Sequence, residues 1–296
     1  MRIAPRLQGL LMLLVTAASW GLNWPVLKFV MAEWPPFLFR VLSGIGGISL
    51  LVVVALARGE NFRVPRGQFP RLAIAAILNI TSWMGLATLS LFWLAASEAA
   101  IIAYTMPIWA SLMAWPALGE RPNWQRVAGL ALGLAGVGVL MAGQLLSAPA
   151  ADLVAKLPGV AAILGTALMF AGGAVFTKRY PVTMQPVPML AWQLAIGMAP
   201  MLLAAVVFDR WSLARVTPLG WGALGYVSIV ALCVSYLAWF RALKLLPAST
   251  AAIGTLLVPV IGVFSSAAAL GEPLGSRQLL ALAMTVSGVV LASRGR

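Results

Sequence analysis

Histidine does not occur anywhere in the 296 residues, and cysteine occurs once, at Cys233. Without imidazole there is no His-based general acid–base catalysis and no His-ligated metal. One thiol inside an apolar run cannot close an internal disulfide, and such thiols are usually inert packing residues. Charge is also scarce: 9% of residues are charged, and only seven of them are Asp or Glu. Soluble domains carry about 25% charge, so this chain could not cover a water-exposed surface of its size. Loops are short too. The longest, Arg58 to Arg71, spans 14 residues, too few for a soluble ligand-binding or signalling module.

What the chain has in abundance is apolar length. Hydrophobic residues make up 62% of it, and mean hydropathy is +0.98. A bilayer core about 30 Å thick needs about 20 apolar residues in a helix. That ruler yields ten spans, 7–30, 37–57, 72–94, 98–118, 124–145, 157–177, 187–208, 218–240, 249–270 and 278–293. Only Ala95, Ala96 and Ser97 separate the third from the fourth, but a single helix there would overshoot the membrane. Arg2 and Arg6 before the first span imitate a signal peptide, yet the apolar run extends through Trp24 and Pro25 to Val30, which reads as a retained span. The net charge of +13 does not indicate nucleic-acid binding, because the basic residues are scattered in ones and twos between apolar runs. With the N-terminus inside, 14 Lys and Arg fall on inner segments and 6 on outer ones. The positive-inside rule then puts both termini in the cytoplasm.

The chain repeats itself. Ser97-Glu98-Ala99-Ala100-Ile101 aligns with Ser249-Thr250-Ala251-Ala252-Ile253, an offset of 152 that also pairs Pro107 with Pro259, Gly119-Glu120 with Gly271-Glu272, and Gly136 with Gly288. Five spans per copy is an odd number, so the second copy must enter the membrane from the opposite side. The expected organisation is an all-α membrane protein of ten transmembrane helices. A first five-helix repeat (1–145) and a linker (146–156) precede an inverted second repeat (157–296), with a central cavity between the halves. Inverted repeats place substrate sites near the midplane, which points to transport.

Trp20-Gly21-Leu22-Asn23, Phe39-Arg40 and the two Ala-Ala…Pro…Leu-Gly-Glu…Gly blocks resemble the drug/metabolite transporter superfamily, EamA type. Among its members the chain is most similar to the YddG-type amino-acid exporters. The resemblance covers nearly the whole chain. It implies ten helices, cytoplasmic termini, alternating access and export of amino acids, aromatic and neutral ones included, or related metabolites; the basic cytoplasmic loops and the lack of a eukaryotic targeting signal fit a bacterial inner membrane. Efflux of drugs or lipophilic cations by the same superfamily is the alternative. An intramembrane enzyme is a third class, disfavoured because no Ser–His pair is possible and Asp152 and Asp209 sit at loops or span ends. Gly136–Gly138 lies within an apolar helix with no strand before it and is no dinucleotide motif. No cofactor or metal is expected, and the partners are a small-molecule substrate and the lipid bilayer. A monomer suffices, although the small-residue faces of the fifth and tenth spans also suit a dimer contact.

Candidate substrate-binding residues follow from polar and aromatic groups at span depth. Asn79, Ser82, Trp83 and Leu86 share one helical stripe, either lining a cavity or bonding across helices as packing. Tyr104 and Trp109 flank Pro107, and Trp20, Asn23 and Trp24 lie in the first span. Trp192, Gln193, Ser235 and Tyr236 are the candidates in the second half. Trp34, Trp124, Trp211 and Trp221 are assigned to the interfacial belt. Pro107 and Pro259 read as symmetric kinks and candidate gating hinges. Both Gly-Glu glutamates read as caps or partners of loop arginines. Glu98, near an outer helix end, is the one acid that could serve as a proton or cation site. Asn79→Ala and Trp109→Ala are therefore expected to impair transport while leaving membrane insertion intact, which uptake and expression assays on the same preparations would separate.

Overall fold

A computed structural model describes residues 4–119, 124–147, 150–246 and 254–294. Among the described residues the structure is entirely helical. Ten helices follow in order: α1 Pro5–Glu33, α2 Pro36–Ala57, α3 Phe69–Ser90, α4 Ala96–Leu118, α5 Trp124–Ser147, α6 Ala150–Arg179, α7 Pro186–Phe208, α8 Pro218–Leu245, α9 Leu257–Leu270 and α10 Ser276–Arg294. Seven are long and apolar enough to cross a bilayer alone, whereas the apolar stretches described in α5, α9 and α10 are shorter. The turn Leu91–Ala95 divides α3 from α4, as the separate spans require. Helix α6 starts at Ala150, inside the expected 146–156 linker, and carries Pro158 within it.

The pattern of helix contacts obeys a pseudo-two-fold exchange of the halves. Helix α5 packs on its counterpart α10, and α2 on its counterpart α7. The pair α1–α9 is mirrored by α6–α4, and α1–α8 by α6–α3. Individual hydrogen bonds repeat as well. The buried Thr16 hydroxyl on α1 donates to the Ser235 carbonyl on α8 at 3.2 Å, and the buried Thr166 hydroxyl on α6 donates to the Ser82 carbonyl on α3, also at 3.2 Å. These carbonyls need the bond because lipid offers no substitute for water. The fold is two inverted five-helix repeats around a central cavity.

Helices α3 and α8 share a second departure from regularity. Residues Ile77–Leu86 and Tyr226–Val234 wind as π-helix, a form that recurs at functional sites. The wider winding disturbs the usual backbone pairing, and serines compensate. Ser82 Oγ donates to the Leu78 carbonyl at 2.5 Å, and Ser235 Oγ donates to the Val230 carbonyl at 2.6 Å.

The paired prolines do something other than bend a continuous helix. In α4 the winding is interrupted at Tyr104–Thr105, and Pro107 stands in the first turn of the new segment Met106–Leu118. Helix α9 begins at Leu257, just after the turn residues Thr255 and Leu256, and Pro259 stands in its first turn. Proline has no N–H to give, so it suits a helix start. Both segments end at a glycine with positive φ, 73° at Gly119 and 66° at Gly271, the left-handed cap that residues with a Cβ adopt poorly.

At the α3–α4 turn four charged side chains from different segments meet. Glu272 accepts from the backbone N–H groups of Ala96 and Ser97 at 2.7 and 2.9 Å and from the Ser97 hydroxyl. Glu98 accepts from the Ala95 N–H at 2.9 Å and pairs with Lys156 at 2.9 Å. Lys28 donates to the carbonyls of Leu91 and Leu94, the orphan acceptors of a helix C-terminus. The capping role expected of Glu272 is thus seen, with α4 of the opposite repeat as its client. Glu120 and Ser249–Ala252 lie outside the described residues. Trp34 departs from its assignment to the interfacial belt. It is 3% exposed and donates to the Gly220 carbonyl at 3.2 Å, because the missing side chain at Gly220 lets the indole tuck against α8. Trp124, Trp211 and Trp221 are exposed. At the start of α2, Asp209 accepts from the Leu38 N–H at 2.7 Å. Burial raises the carboxyl pKa, while backbone hydrogen bonds from Leu38 and Phe37 oppose the rise.

Helices α5 and α10 meet backbone to backbone. A Cβ on Gly288 would lie 2.6 Å from the Gly129 carbonyl oxygen and 2.9 Å from the Gly133 nitrogen, whereas one on Gly138 would meet nothing within 4 Å. Gly288→Leu is expected to destabilise the protein by about 1–3 kcal/mol through overpacking, and Gly138→Leu to be neutral. Thermal melts of the detergent-purified variants check this; equal melting temperatures would mean that the α5–α10 contact does not hold the fold.

Candidate functional site

A largely enclosed cavity of about 80 Å³ lies between the repeats. Helix α1 supplies Trp20, Asn23, Trp24 and Leu27, and α3 supplies Ile80, Trp83, Met84 and Ala87. The break in α4 supplies Tyr104 and Met106, α6 supplies Phe170, and α7 supplies Leu194. Helix α8 closes the ring with Val227, Ala231, Leu232 and Tyr236. Both π-helical stretches and the α4 interruption therefore border the same space. Irregular backbone at membrane depth is tolerated where it faces protein or lines a cavity, and discontinuous helices are a recurrent way of building carrier sites.

The aromatic walls brace one another. Trp83 has Trp24, Tyr104 and Phe170 as ring neighbours at 6.2, 6.1 and 5.4 Å between centroids. Across the cavity Trp20 meets Tyr236 edge-on at 5.3 Å and Trp239 at 6.0 Å. Its indole N–H donates to the Ala231 carbonyl at 3.3 Å, in the π-helical part of α8. Each such ring pair contributes about 0.5–1.5 kcal/mol beyond area burial.

Two polar groups in this apolar shell are unpaired. Arg40, five residues into α2, also lines the cavity and is 3% exposed. Its Nε donates to Thr88 Oγ1 at 2.5 Å, but its Nη2 has no hydrogen-bond partner. Among the described residues no carboxylate forms an ion pair with it. Placing Arg at the centre of a transmembrane helix costs about 2.5–3.5 kcal/mol on insertion scales, and the guanidinium stays charged. Thr88 holds this group in place, since its hydroxyl accepts from Arg40 and donates to the Met84 carbonyl at 2.7 Å. The second orphan is Asn23, whose Oδ1 is buried with no donor. One side of the cavity thus offers an unused donor with positive charge, and α1 offers an unused acceptor.

The structure brings five of the expected substrate residues to this space, Trp20, Asn23, Trp83, Tyr104 and Tyr236. The others sit elsewhere. Asn79 points at α6, where its amide packs directly over Gly173. Ser82 and Ser235 bond back to their own helices. Trp109 donates from Nε1 to Thr105 Oγ1 at 3.1 Å, one turn below the break. Trp192 ties α7 to the α2–α3 loop by donating to the Phe62 carbonyl at 2.9 Å, and Gln193 is buried on α7 without lining the cavity. Glu98 stands at the α3–α4 turn, engaged by Lys156 and the Ala95 N–H. Trp24, weighed in the first span beside Trp20 and Asn23, lines the cavity too, while sequence reasoning missed Phe170 and above all Arg40. The signal for Arg40 was present, because a charged residue inside an apolar run of α2 is a functional candidate by default.

A closed aromatic cavity between inverted repeats, bounded by irregular helices and holding an unpaired charge, is the architecture of a membrane transporter. Residues 7–142 and 157–294 both match the EamA-like transporter family, and the chain belongs to that family. It is 31% identical over 99% of its length to the uncharacterized transporter YvbV of Bacillus subtilis, covering 94% of that protein. A probable amino-acid metabolite efflux pump of Escherichia coli is 26% identical over 97% of this chain and 94% of its own. The uncharacterized inner membrane transporter YedA of Escherichia coli is 25% identical over 94% and 88%. A solved crystal structure shares the fold with a TM-score of 0.66 at 23% identity, over 99% of this chain and 97% of that one.

Thr88→Val keeps the shape of the side chain and removes the acceptor for Arg40. It is expected to raise the apparent KM for transported substrate about tenfold, the scale of one hydrogen bond to a charged group, with a smaller change in maximal rate. An unchanged KM would show that Thr88 does not position the guanidinium.

Proposed function

We propose that this protein exports amino acids or closely related metabolites across a bacterial inner membrane by alternating access, with both termini in the cytoplasm. The observation that carries this reading is the pair of orphan groups in the cavity. Arg40 Nη2 needs an anionic acceptor, and Asn23 Oδ1 needs an N–H donor. A substrate bearing both a carboxylate and an ammonium satisfies them together, and the aromatic faces add cation–π attraction for the ammonium. The start of the second α4 segment at Met106 supports the anion as well, since helix N-termini favour negative charge. The amino-acid metabolite efflux activity named for the Escherichia coli relative agrees with the reading.

Chemistry within the cavity also bears on the driving force. No Asp or Glu lines it, and a proton-coupled carrier generally keeps an exchangeable acid in the membrane. Transport is then downhill efflux or exchange, with Glu98 as the residue to revisit if coupling to protons is found. Efflux of lipophilic cations fits less well, because a permanent positive charge in the cavity repels them. The ten helices work as two halves, 1–145 and 157–296, that rock about the cavity.

The test is counterflow in liposomes holding purified protein, with unlabelled amino acids inside and labelled ones outside. Exchange without a pH gradient is expected, with loss of at least about tenfold in Arg40→Ala, as for removal of one partner of a buried charge pair. Asn23→Leu is expected to weaken uptake of amino acids more than that of the matching carboxylic acids lacking the amine. Uptake of a cationic dye with no exchange of any amino acid would sink the proposal.

A further inference from the structure

We infer that the cavity selects by size and that the Trp83–Phe170 ring pair sets the limit, so that the substrates are α-amino acids with short side chains. The inference rests on the amino-acid reading above and narrows it.

The volume decides between substrates. Pockets for drug-sized ligands run to about 300–1,000 Å³, and this cavity holds about 80 Å³. The space is severalfold below that of a drug-sized pocket, and the carboxylate and ammonium at Arg40 and Asn23 take part of it. What is left accommodates a methyl, hydroxymethyl or thiol-bearing side chain, and an indole or phenyl ring overfills it.

Enlarging the space requires rings to move, and they are held. Trp83 is packed against Trp24, Tyr104 and Phe170 together. Trp24 in turn lies on the backbone of α9, where a Cβ added at Gly262 would stand 3.0 Å from the indole. Phe170 cannot retreat with its helix, because one turn further along α6 Gly173 is already in direct contact with the Asn79 amide of α3. Phe170 reaches the cavity from α6, contributes no hydrogen bond to it and faces Trp83 at 5.4 Å. It is therefore the wall whose trimming adds room without removing either polar anchor.

The experiment is the same liposome counterflow run with alanine, serine, leucine, phenylalanine and tryptophan, on wild-type protein and on Phe170→Ala and the milder Phe170→Leu. Binding is followed in parallel by quenching of the cavity tryptophans in detergent, so that a variant that folds but moves slowly is still read. Wild-type protein is expected to exchange alanine and serine at least about tenfold faster than phenylalanine, the scale set by overfilling a packed site. The Phe170 variants are expected to narrow that gap severalfold, whatever their absolute rate of alanine exchange. Phenylalanine exchange as fast as alanine in the wild type would overturn the size limit and leave the amino-acid reading standing. No exchange or quenching by any amino acid would overturn both. An unchanged substrate ratio in a folded Phe170→Leu protein would overturn the role given to this ring.

Discussion

Inside a bilayer every backbone and side-chain polar group must find its partner within the protein, because lipid supplies none. That constraint accounts for most of the unusual features of this chain. The π-helical stretches of α3 and α8 disturb their own ladders, so Ser82, Ser235, Trp20 and Thr166 bond to carbonyls there. The turn between α3 and α4 exposes helix ends near the membrane face, so Lys28 takes the carbonyls and Glu272 the amides. Against this thorough pairing, the unpaired Nη2 of Arg40 and Oδ1 of Asn23 stand out. Among the described residues Ser266 Oγ, Thr285 Oγ1 and Glu60 Oε2 are also buried without a partner, but Arg40 and Asn23 alone of these five line the cavity, where an open donor and acceptor carry more weight than either would on a water-exposed surface.

The inverted repeat gives the same conclusion from a different direction. A duplicated unit that enters the membrane from opposite sides must produce elements in exchangeable pairs, and the pairs are found down to single hydrogen bonds, as with Thr16 and Thr166. In the cavity the aromatic walls keep the symmetry, since Phe170 stands where the Thr16–Thr166 correspondence places Trp20, and Phe170–Trp83 at 5.4 Å mirrors Trp20–Tyr236 at 5.3 Å. The polar anchors Arg40 and Asn23 come from the first repeat alone. The scaffold repeats, and the polar recognition groups do not. A substrate with two chemically different ends fits such a site better than a symmetric one.

How much of this was legible beforehand follows the same division. Span number, the two halves and the paired Pro and Gly-Glu positions are written in hydropathy and spacing, which depend on local sequence. Cavity membership depends on rotation of each helix about its axis, and a span that is apolar on every side carries little record of that. Hence Trp20, Trp83 and Tyr236 could be picked out as aromatic groups at depth, but Trp192 and Trp109 looked the same and are engaged elsewhere. Asn79 shares a stripe with Trp83, yet α6 approaches so closely at Gly173 that the amide is spent on packing. Arg40 failed for another reason. By position it opens the second span, where a basic residue reads as one of the six outer topology charges, although four residues of α2 precede it and its side chain is buried.

The fixed charge also shapes the transport cycle. With the cavity empty, Arg40 faces an apolar space with no counter-ion, and closing both ends around it removes what solvation the open cavity allows. A bound carboxylate supplies the missing partner, and the electrostatic interaction strengthens as the local dielectric falls. The closed intermediate is thus stabilised more in the loaded carrier than in the empty one. A carrier whose barrier is lower when loaded in both directions exchanges faster than it runs net efflux. Under the proposed amino-acid reading, one guanidinium held by one threonine would favour exchange with no titrating acid in the pathway.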